Sequence, residues 1–272
     1  MKSDGSRGGA QSPDVLLDSL VERLKAGGSL TTPVVEAAFR QIPRHLFLPG
    51  VPFERVYNDE AIPTKLQDGI PISSSSQPAI MAIMLEQLDL RPGQRVLEIG
   101  AGTGYNAALM AQIVGESGHL TTVDIDQDIV DGARAQLAAA GLNHVSVVCA
   151  DGGLGYPSGA PYDRIILTVG AWDIAPAWFE QLAPSGRLVL PLDLRGVQKS
   201  VAFERVDGSL QSVSVKDCGF MRLRGTFAGP ESYYRIAAAP GLWLRCDRSE
   251  AADPEFVHRL LTGPWHATDA HV

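Results

Sequence analysis

The chain has 272 residues, of which 45% are hydrophobic and 20% charged, an ordinary globular mixture long enough for one or two domains and for a core without disulfide staples. Its 31 acidic against 23 basic residues leave a formal charge of −8, which makes nucleic acid a poor partner. Three scattered cysteines (Cys149, Cys218, Cys246) form no CxxC pair and argue against a zinc ribbon or a disulfide framework; with no apolar run of signal-peptide or membrane-spanning kind, they point to a soluble cytoplasmic protein without a membrane partner.

Residues 1–13, Gly, Ser and charge, read as a disordered tail. From Asp14 the apolar positions Val15, Leu16, Leu17, Leu20, Val21 and Leu24 recur at helical spacing up to Gly27-Gly28. A second helix is expected from Thr32 or Pro33 to Arg40, with Thr32 as its cap. Residues 41–72, rich in proline, show no periodicity and read as an ordered wrapping segment without a regular element. Strands are then expected over Arg95–Ile99, Leu120–Val123, Val145–Cys149, Arg164–Val169 and Arg187–Leu192, with helices over Asn106–Val114, Asp128–Ala140 and Pro176–Leu182. This alternation predicts an α/β fold with a mostly parallel, doubly wound sheet. Lys199–Val206 and Leu210–Val215, joined at Asp207-Gly208, read as an antiparallel hairpin. Beyond it, Gly241–Arg245 reads as a strand and Pro254–Leu261 as a helix, too little chain for a core of its own.

The chemistry concentrates at three predicted strand ends. Glu98-Ile99-Gly100-Ala101-Gly102-Thr103-Gly104-Tyr105 is a GxGxG turn between strand and helix, not the GxGxxG of a dinucleotide site, because the third fingerprint position falls on Tyr105. That shifts the expectation from a pyrophosphate to a nucleoside without phosphates. Asp124 lies twenty residues beyond Gly104, at the next strand end, where a carboxylate accepts hydrogen bonds from ribose hydroxyls; Asp151-Gly152 follows the strand after that, placed to meet an adenine edge.

Val96–Tyr105 resembles the first motif of S-adenosylmethionine-dependent methyltransferases, and specifically of the protein-L-isoaspartate O-methyltransferases. Ile42-Pro43-Arg44-His45-Leu46-Phe47-Leu48-Pro49 is similar to the family's "VPRHxFVP" segment, and Tyr57-Asn58-Asp59 to its "YxD" neighbourhood. Ser76-Gln77-Pro78 resembles its "ISQP" substrate motif; Ala150-Asp151-Gly152, Gly155-Tyr156 and Ala160-Pro161-Tyr162-Asp163 resemble "GDGxxGY…APYD"; and Leu182–Leu188 resembles "LKPGGRL". These matches run in family order over about residues 14–227. Two features depart from it: the serine run Ser73–Ser76 re-letters the substrate loop, and the chain continues past the usual end through Cys218–Gly225. Both resemble a branch that tailors ribosomal peptide natural products by methylating an aspartate of a modified precursor peptide, such as a lanthipeptide.

The resemblance implies a Rossmann-like core over 94–228, preceded by a helical and substrate-loop segment over 14–93 and followed by an extension over 229–272. It implies S-adenosyl-L-methionine held by Glu98, Gly100, Ala101, Gly102, Thr103, Gly104, Tyr105, Asp124, Ile125, Asp151 and Gly152. The partner would be a polypeptide carrying an aspartyl or isoaspartyl carboxylate, met by Ser76 as the catalytic contact with Ser73, Ser74, Ser75, Gln77 and Trp172 around it. A carboxylate is already a nucleophile at neutral pH, so no general base is required. Free N–H groups at the helix start after the serines would help to hold it; the bland alternative makes the serines a cap and a turn. The six histidines show no HxxxH or HxH spacing, so no metal is expected. His45 is expected to pack or hydrogen-bond, Cys149 to be a small buried apolar residue, Trp178 to pack a helix, and Tyr233-Tyr234 to be core or a peptide contact. A nucleoside-binding module without turnover and a nicotinamide oxidoreductase are the competing classes.

Overall fold

Ser12 caps the first helix, α1 (Pro13–Ala26): its Oγ accepts the Val15 N–H, and Pro13 stands at the first position, where no N–H is needed. The helix thus starts at Pro13, the last residue of the stretch read as a tail, whose residues 1–10 lie outside the described residues. The computed structural model describes residues 11–194, 197–229, 232–235 and 243–246, with the single positions 253, 255, 258, 259 and 262. In α2 (Pro33–Gln41) the Thr32 side chain makes no capping bond; instead Thr31 and Thr32 both donate their N–H to Glu86 Oε1 at 2.8 Å. A 3₁₀ turn (Arg44–Phe47) and the short α3 (Phe53–Val56) follow.

The proline-rich stretch is more regular than its composition indicates. β1 (Ile62–Gln67) and β2 (Ile70–Ser75) form a two-stranded antiparallel hairpin. Its turn is Asp68-Gly69, both at positive φ (52° and 78°), the twist that a two-residue hairpin loop requires. Ser73, Ser74 and Ser75 thus lie in a strand, and the chain enters α4 (Pro78–Leu88) only after Gln77.

The core of the molecule is a seven-stranded sheet in the order β5-β4-β3-β6-β7-β8-β9. β3 (Arg95–Ile99), β4 (His119–Asp124), β5 (Ser146–Cys149), β6 (Tyr162–Leu167) and β7 (Leu182–Leu194) run parallel, whereas β8 (Val197–Val206) and β9 (Ser209–Asp217) close the sheet antiparallel. Helices α5 (Tyr105–Val114), α6 (Gln127–Ala139) and α7 (Pro176–Gln181) supply the crossovers. Nine of the ten α5 residues are buried, which is why its sequence is apolar all round instead of on one stripe. Tyr105, at its start, meets the rings of Phe39 and Phe47 at 6.4 and 5.5 Å, so the N-terminal helices dock where the glycine turn ends.

Cys149 is exposed at the end of the edge strand β5, contrary to the buried position expected of it, because β5 has a neighbour on one side only. Trp178 is fully buried and donates to Gly152 O at 2.8 Å. His45 Nδ1 lies 2.6 Å from the Tyr57 hydroxyl.

The contacts divide the chain into residues 1–228 and 229–272. In the second unit β10 (Ser232–Arg235) and β11 (Trp243–Cys246) pair antiparallel, β11 overlapping the strand expected at Gly241–Arg245. Tyr233 and Tyr234 lie on β10. Of the helix expected over Pro254–Leu261, residues 255, 258 and 259 are helical and the rest lie outside the described residues. Among the described residues no helix is long and apolar enough to cross a membrane.

Candidate active site

A cavity of about 590 Å³ opens at the carboxyl ends of β3, β4 and β6, within the size range of small-molecule sites. The glycine turn forms its floor. Gly100 (φ 105°) approaches β6 so closely that a Cβ would fall 2.5 Å from Thr168 Oγ1, and this hydroxyl donates to Gly100 O at 2.7 Å. At Gly152 a Cβ would lie 2.3 Å from Ile99 Cγ2, so only glycine lets the β5 end close on β3.

Asp124, at the end of β4, lines the cavity and accepts N–H bonds from Gly102 (3.2 Å) and Asp126 (3.3 Å). Burial raises its pKa, and two backbone donors leave its carboxylate with acceptor capacity for further hydroxyls. Ala101, Gly102, Thr103, Tyr105 and Ile125 also line the wall. From the opposite side come Ser73, Ser74, Ser75, Ser76 and Gln77, close enough that Gly102 faces the Ser74 carbonyl. Ser73 and Ser75 are buried: Ser73 Oγ accepts from Thr64 Oγ1 at 3.2 Å, and Ser75 Oγ from Arg44 Nη2 at 3.3 Å. Ser74 and Ser76 are half-buried.

Several expected residues stand elsewhere. Glu98 is completely buried beneath the turn, where its carboxylate accepts from Asn106 Nδ2 (2.8 Å) and Thr122 Oγ1 (2.6 Å); burial pushes its pKa up to about 7. It braces the loop from below and is not part of the cavity wall. Gly104 is the N-cap of α5, packed on Leu137, and also lies off the wall. The Asp151 carboxylate turns away, accepting the N–H groups of Gly153 (2.9 Å) and Thr226 (2.7 Å). Trp172 is 40% exposed and stacks on Phe227 at 5.3 Å, again outside the wall, because the chain that follows β9 occupies the space between. Of the N–H groups expected to be free at the helix start, that of Ala79 is taken: it goes to Asp59 Oδ1 (2.8 Å), whose second oxygen accepts from Gln77 Nε2 (2.9 Å).

Motif reading missed the segment Asp217–Arg224, which lies along the cavity. It is held by Gly170 N–H to Met221 O (2.7 Å) and Leu223 N–H to Gly170 O (2.8 Å). Arg224 Nη2 reaches Asp126 Oδ2 (2.8 Å), which also takes Lys65 Nζ (3.0 Å) from the β1–β2 hairpin. Arg224 in particular holds the Asp126 carboxyl below its ordinary value. A cation in each of two distant segments, meeting one aspartate beside Asp124, leaves no trace in local spacing. Among the described residues no three His, Cys, Asp or Glu side chains are grouped to hold a metal ion.

Comparison with known proteins agrees with this architecture. A protein-L-isoaspartate O-methyltransferase of Methanopyrus kandleri is 40% identical over 219 residues, 79% of this chain and 95% of that one. A second, from Archaeoglobus fulgidus, is 39% identical over 77% of this chain and 93% of its own. A solved protein-L-isoaspartate O-methyltransferase superposes with a TM-score of 0.71 at 35% identity, covering 78% of this chain and 67% of that one. A Plasmodium falciparum structure described as such an enzyme in complex with S-adenosyl-L-homocysteine shares the fold, with a TM-score of 0.66 at 19% identity over 76% of this chain and 97% of that one. The family profile "Protein-L-isoaspartate(D-aspartate) O-methyltransferase (PCMT)" matches residues 17–227, so the run Cys218–Gly225 falls inside the family's span and is no extension of it. With a Rossmann-like core, a glycine-floored cavity and a match over most of its length, the chain belongs to the protein-L-isoaspartate(D-aspartate) O-methyltransferase family.

Proposed function

We propose that the chain is a carboxyl O-methyltransferase that uses S-adenosyl-L-methionine to esterify L-isoaspartyl residues in polypeptides. The observation that carries this reading is that the glycine turn and the serine strand face each other across one cavity. The residues fit the cofactor's chemistry. Asp124 offers a half-buried carboxylate to ribose hydroxyls, Gly100 and Gly102 offer a backbone cradle without side chains, and Ile99, Ile125 and Gly152 offer an apolar wall to a purine. When bound, S-adenosyl-L-methionine supplies an electrophilic methyl group on a sulfonium.

The chain's own residues then have positioning to do. The acceptor carboxylate needs no base, so rate enhancement comes from holding it in line and stripping its water. We assign that contact to Ser76, with Ser74 beside it: both are half-buried at the cavity, whereas the Ser73 hydroxyl is engaged inside the hairpin by Thr64 and the Ser75 hydroxyl is engaged behind it by Arg44. Glu98 acts one layer down, fixing Asn106 and Thr122 under the glycine turn. The backbone amide nitrogen displaces methanol from the methyl ester of an isoaspartyl residue to give a succinimide, which water reopens in part to normal aspartate, so the activity amounts to repair. The acidic charge of −8 favours a polypeptide partner over nucleic acid or an anionic membrane, and the scattered cysteines favour the cytoplasm.

The test is a mass-spectrometric assay with S-adenosyl-L-methionine and two matched peptides, one isoaspartyl and one aspartyl. Gain of one methyl on the isoaspartyl peptide alone, across unrelated sequences, is the expected result. Methylation of neither, with cofactor binding intact, overturns it.

A further inference from the structure

A buried cation lies directly behind the serine strand. Arg44, in the 3₁₀ turn after α2, has no solvent exposure. Its two terminal nitrogens are met by uncharged oxygens from two segments, while Nε is buried without a partner: Nη1 donates to Val56 O (2.7 Å) and Asn58 O (3.3 Å), and Nη2 donates to Glu60 O (3.2 Å), Ser76 O (2.9 Å) and Ser75 Oγ (3.3 Å). Arginine's planar fork places four N–H groups on two nitrogens, so that one side chain bridges both segments at once.

The segment that Arg44 grips from behind also grips the helix start from the front. Its Asp59 carboxylate holds Gln77 Nε2 and Ala79 N–H, one and three residues past Ser76. The turn from β2 into α4 is therefore clamped on both sides, and Ser76 sits between the clamps. The two clamps differ in charge and in surroundings. Asp59 and Glu60 are exposed, so solvent screens them, whereas the guanidinium is enclosed, where its field is screened far less.

We propose that Arg44 is a positioning residue for methyl transfer: through Ser75 and Ser76 it fixes the end of the serine strand against the cavity, and its buried charge selects a carboxylate over a neutral side chain there. This rests on the carboxyl-methyltransferase reading. Arg44 does not line the cavity and touches neither substrate nor cofactor.

The experiment compares Arg44→Lys and Arg44→Met with wild type in two measurements, peptide kinetics and calorimetric binding of S-adenosyl-L-homocysteine. Lys keeps the charge but cannot bridge five oxygens. It is expected to raise KM for an isoaspartyl peptide by about tenfold while leaving homocysteine-product affinity within about twofold. Met is expected to raise KM further and to abolish the preference for a carboxylate, a preference that Lys retains. A parallel fall in peptide and product affinity, tracking a fall in melting temperature, overturns the proposal in favour of a purely structural role. An unchanged KM in both variants overturns it as well.

Should the variants fail to fold, wild type decides. A peptide whose isoaspartyl carboxylate is replaced by a carboxamide is expected to bind about tenfold more weakly than its parent, the loss of one charge-assisted contact. Equal binding overturns the proposal. If wild type binds both peptides but methylates no isoaspartyl sequence, the proposed function fails and the charge preference is still read from binding.

Discussion

The β1–β2 and β8–β9 hairpins share a turn and differ in their surroundings. Asp68-Gly69 and Asp207-Gly208 adopt nearly the same backbone, with φ of 52° and 78° in one and 48° and 76° in the other. The second hairpin, β8–β9, continues the seven-stranded sheet: β8 pairs on both sides, and Gln87 of α4 ties it down through Ser200 and Ser214. The first, β1–β2, pairs only with itself, exposes Leu66 and Ile70 near its tip, and is fastened by Arg44 at one end and by the Lys65 ion pairs further out. Turn chemistry specifies a hairpin but not its role. The role follows from which edges are left for other strands, and the hairpin with free edges is the one that carries the serines to the cavity.

The largest expected effect sharpens that contrast. Ser76→Ala should lower kcat/KM for an isoaspartyl peptide by about a hundredfold with little change in melting temperature, whereas Ser212→Ala on the exposed face of β9 should leave turnover alone. Equal rates for Ser76→Ala and wild type remove Ser76 from the site.

Glu98, in the interior strand β3, makes global stability depend on pH. Its folded-state pKa of about 7 lies above the ordinary 4.5, so the native protein retains a proton that the unfolded chain releases. The resulting stability is fully present below the unfolded value and declines as pH rises towards 7. Urea midpoints followed over that window should fall in wild type, and the Glu98 contribution to the slope should vanish in Glu98→Gln.

Smaller effects test the hairpins directly. Neither Gly69 nor Gly208 has a neighbour that a Cβ would meet, so alanine at either position carries only the strain of positive φ, about 1–2 kcal/mol. Gly208→Ala should lower global stability by that amount. Gly69→Ala should leave global unfolding nearly unchanged and slow peptide turnover instead; an equal loss of global stability would break the distinction drawn here. The smallest effect belongs to Lys65→Met. Stopped-flow release of S-adenosyl-L-homocysteine should quicken by a few-fold at low salt, the difference closing as salt screens the pairs with Asp126 and Asp128.

The amino-acid sequence by itself determined the parallel sheet, the glycine turn, Asp124 and the sheet-edge hairpin, since each is written in contiguous residues: apolar runs, turn glycines and a carboxylate at a strand end. The Asp-Gly turn at 68–69 was equally legible in principle, but Pro63 and Pro71 masked its strands; proline is tolerated there because both strands are edges. Only the tertiary structure decided which acidic groups reach the cavity. Glu98 is drawn beneath it by Asn106 and Thr122, Asp151 is taken up by the chain returning after β9, and Asp126 gains cations from residues 65 and 224. The physical reason is range. Strand, helix and turn preferences act over a few residues, whereas the partner that claims a carboxylate arrives from wherever the folded chain brings it.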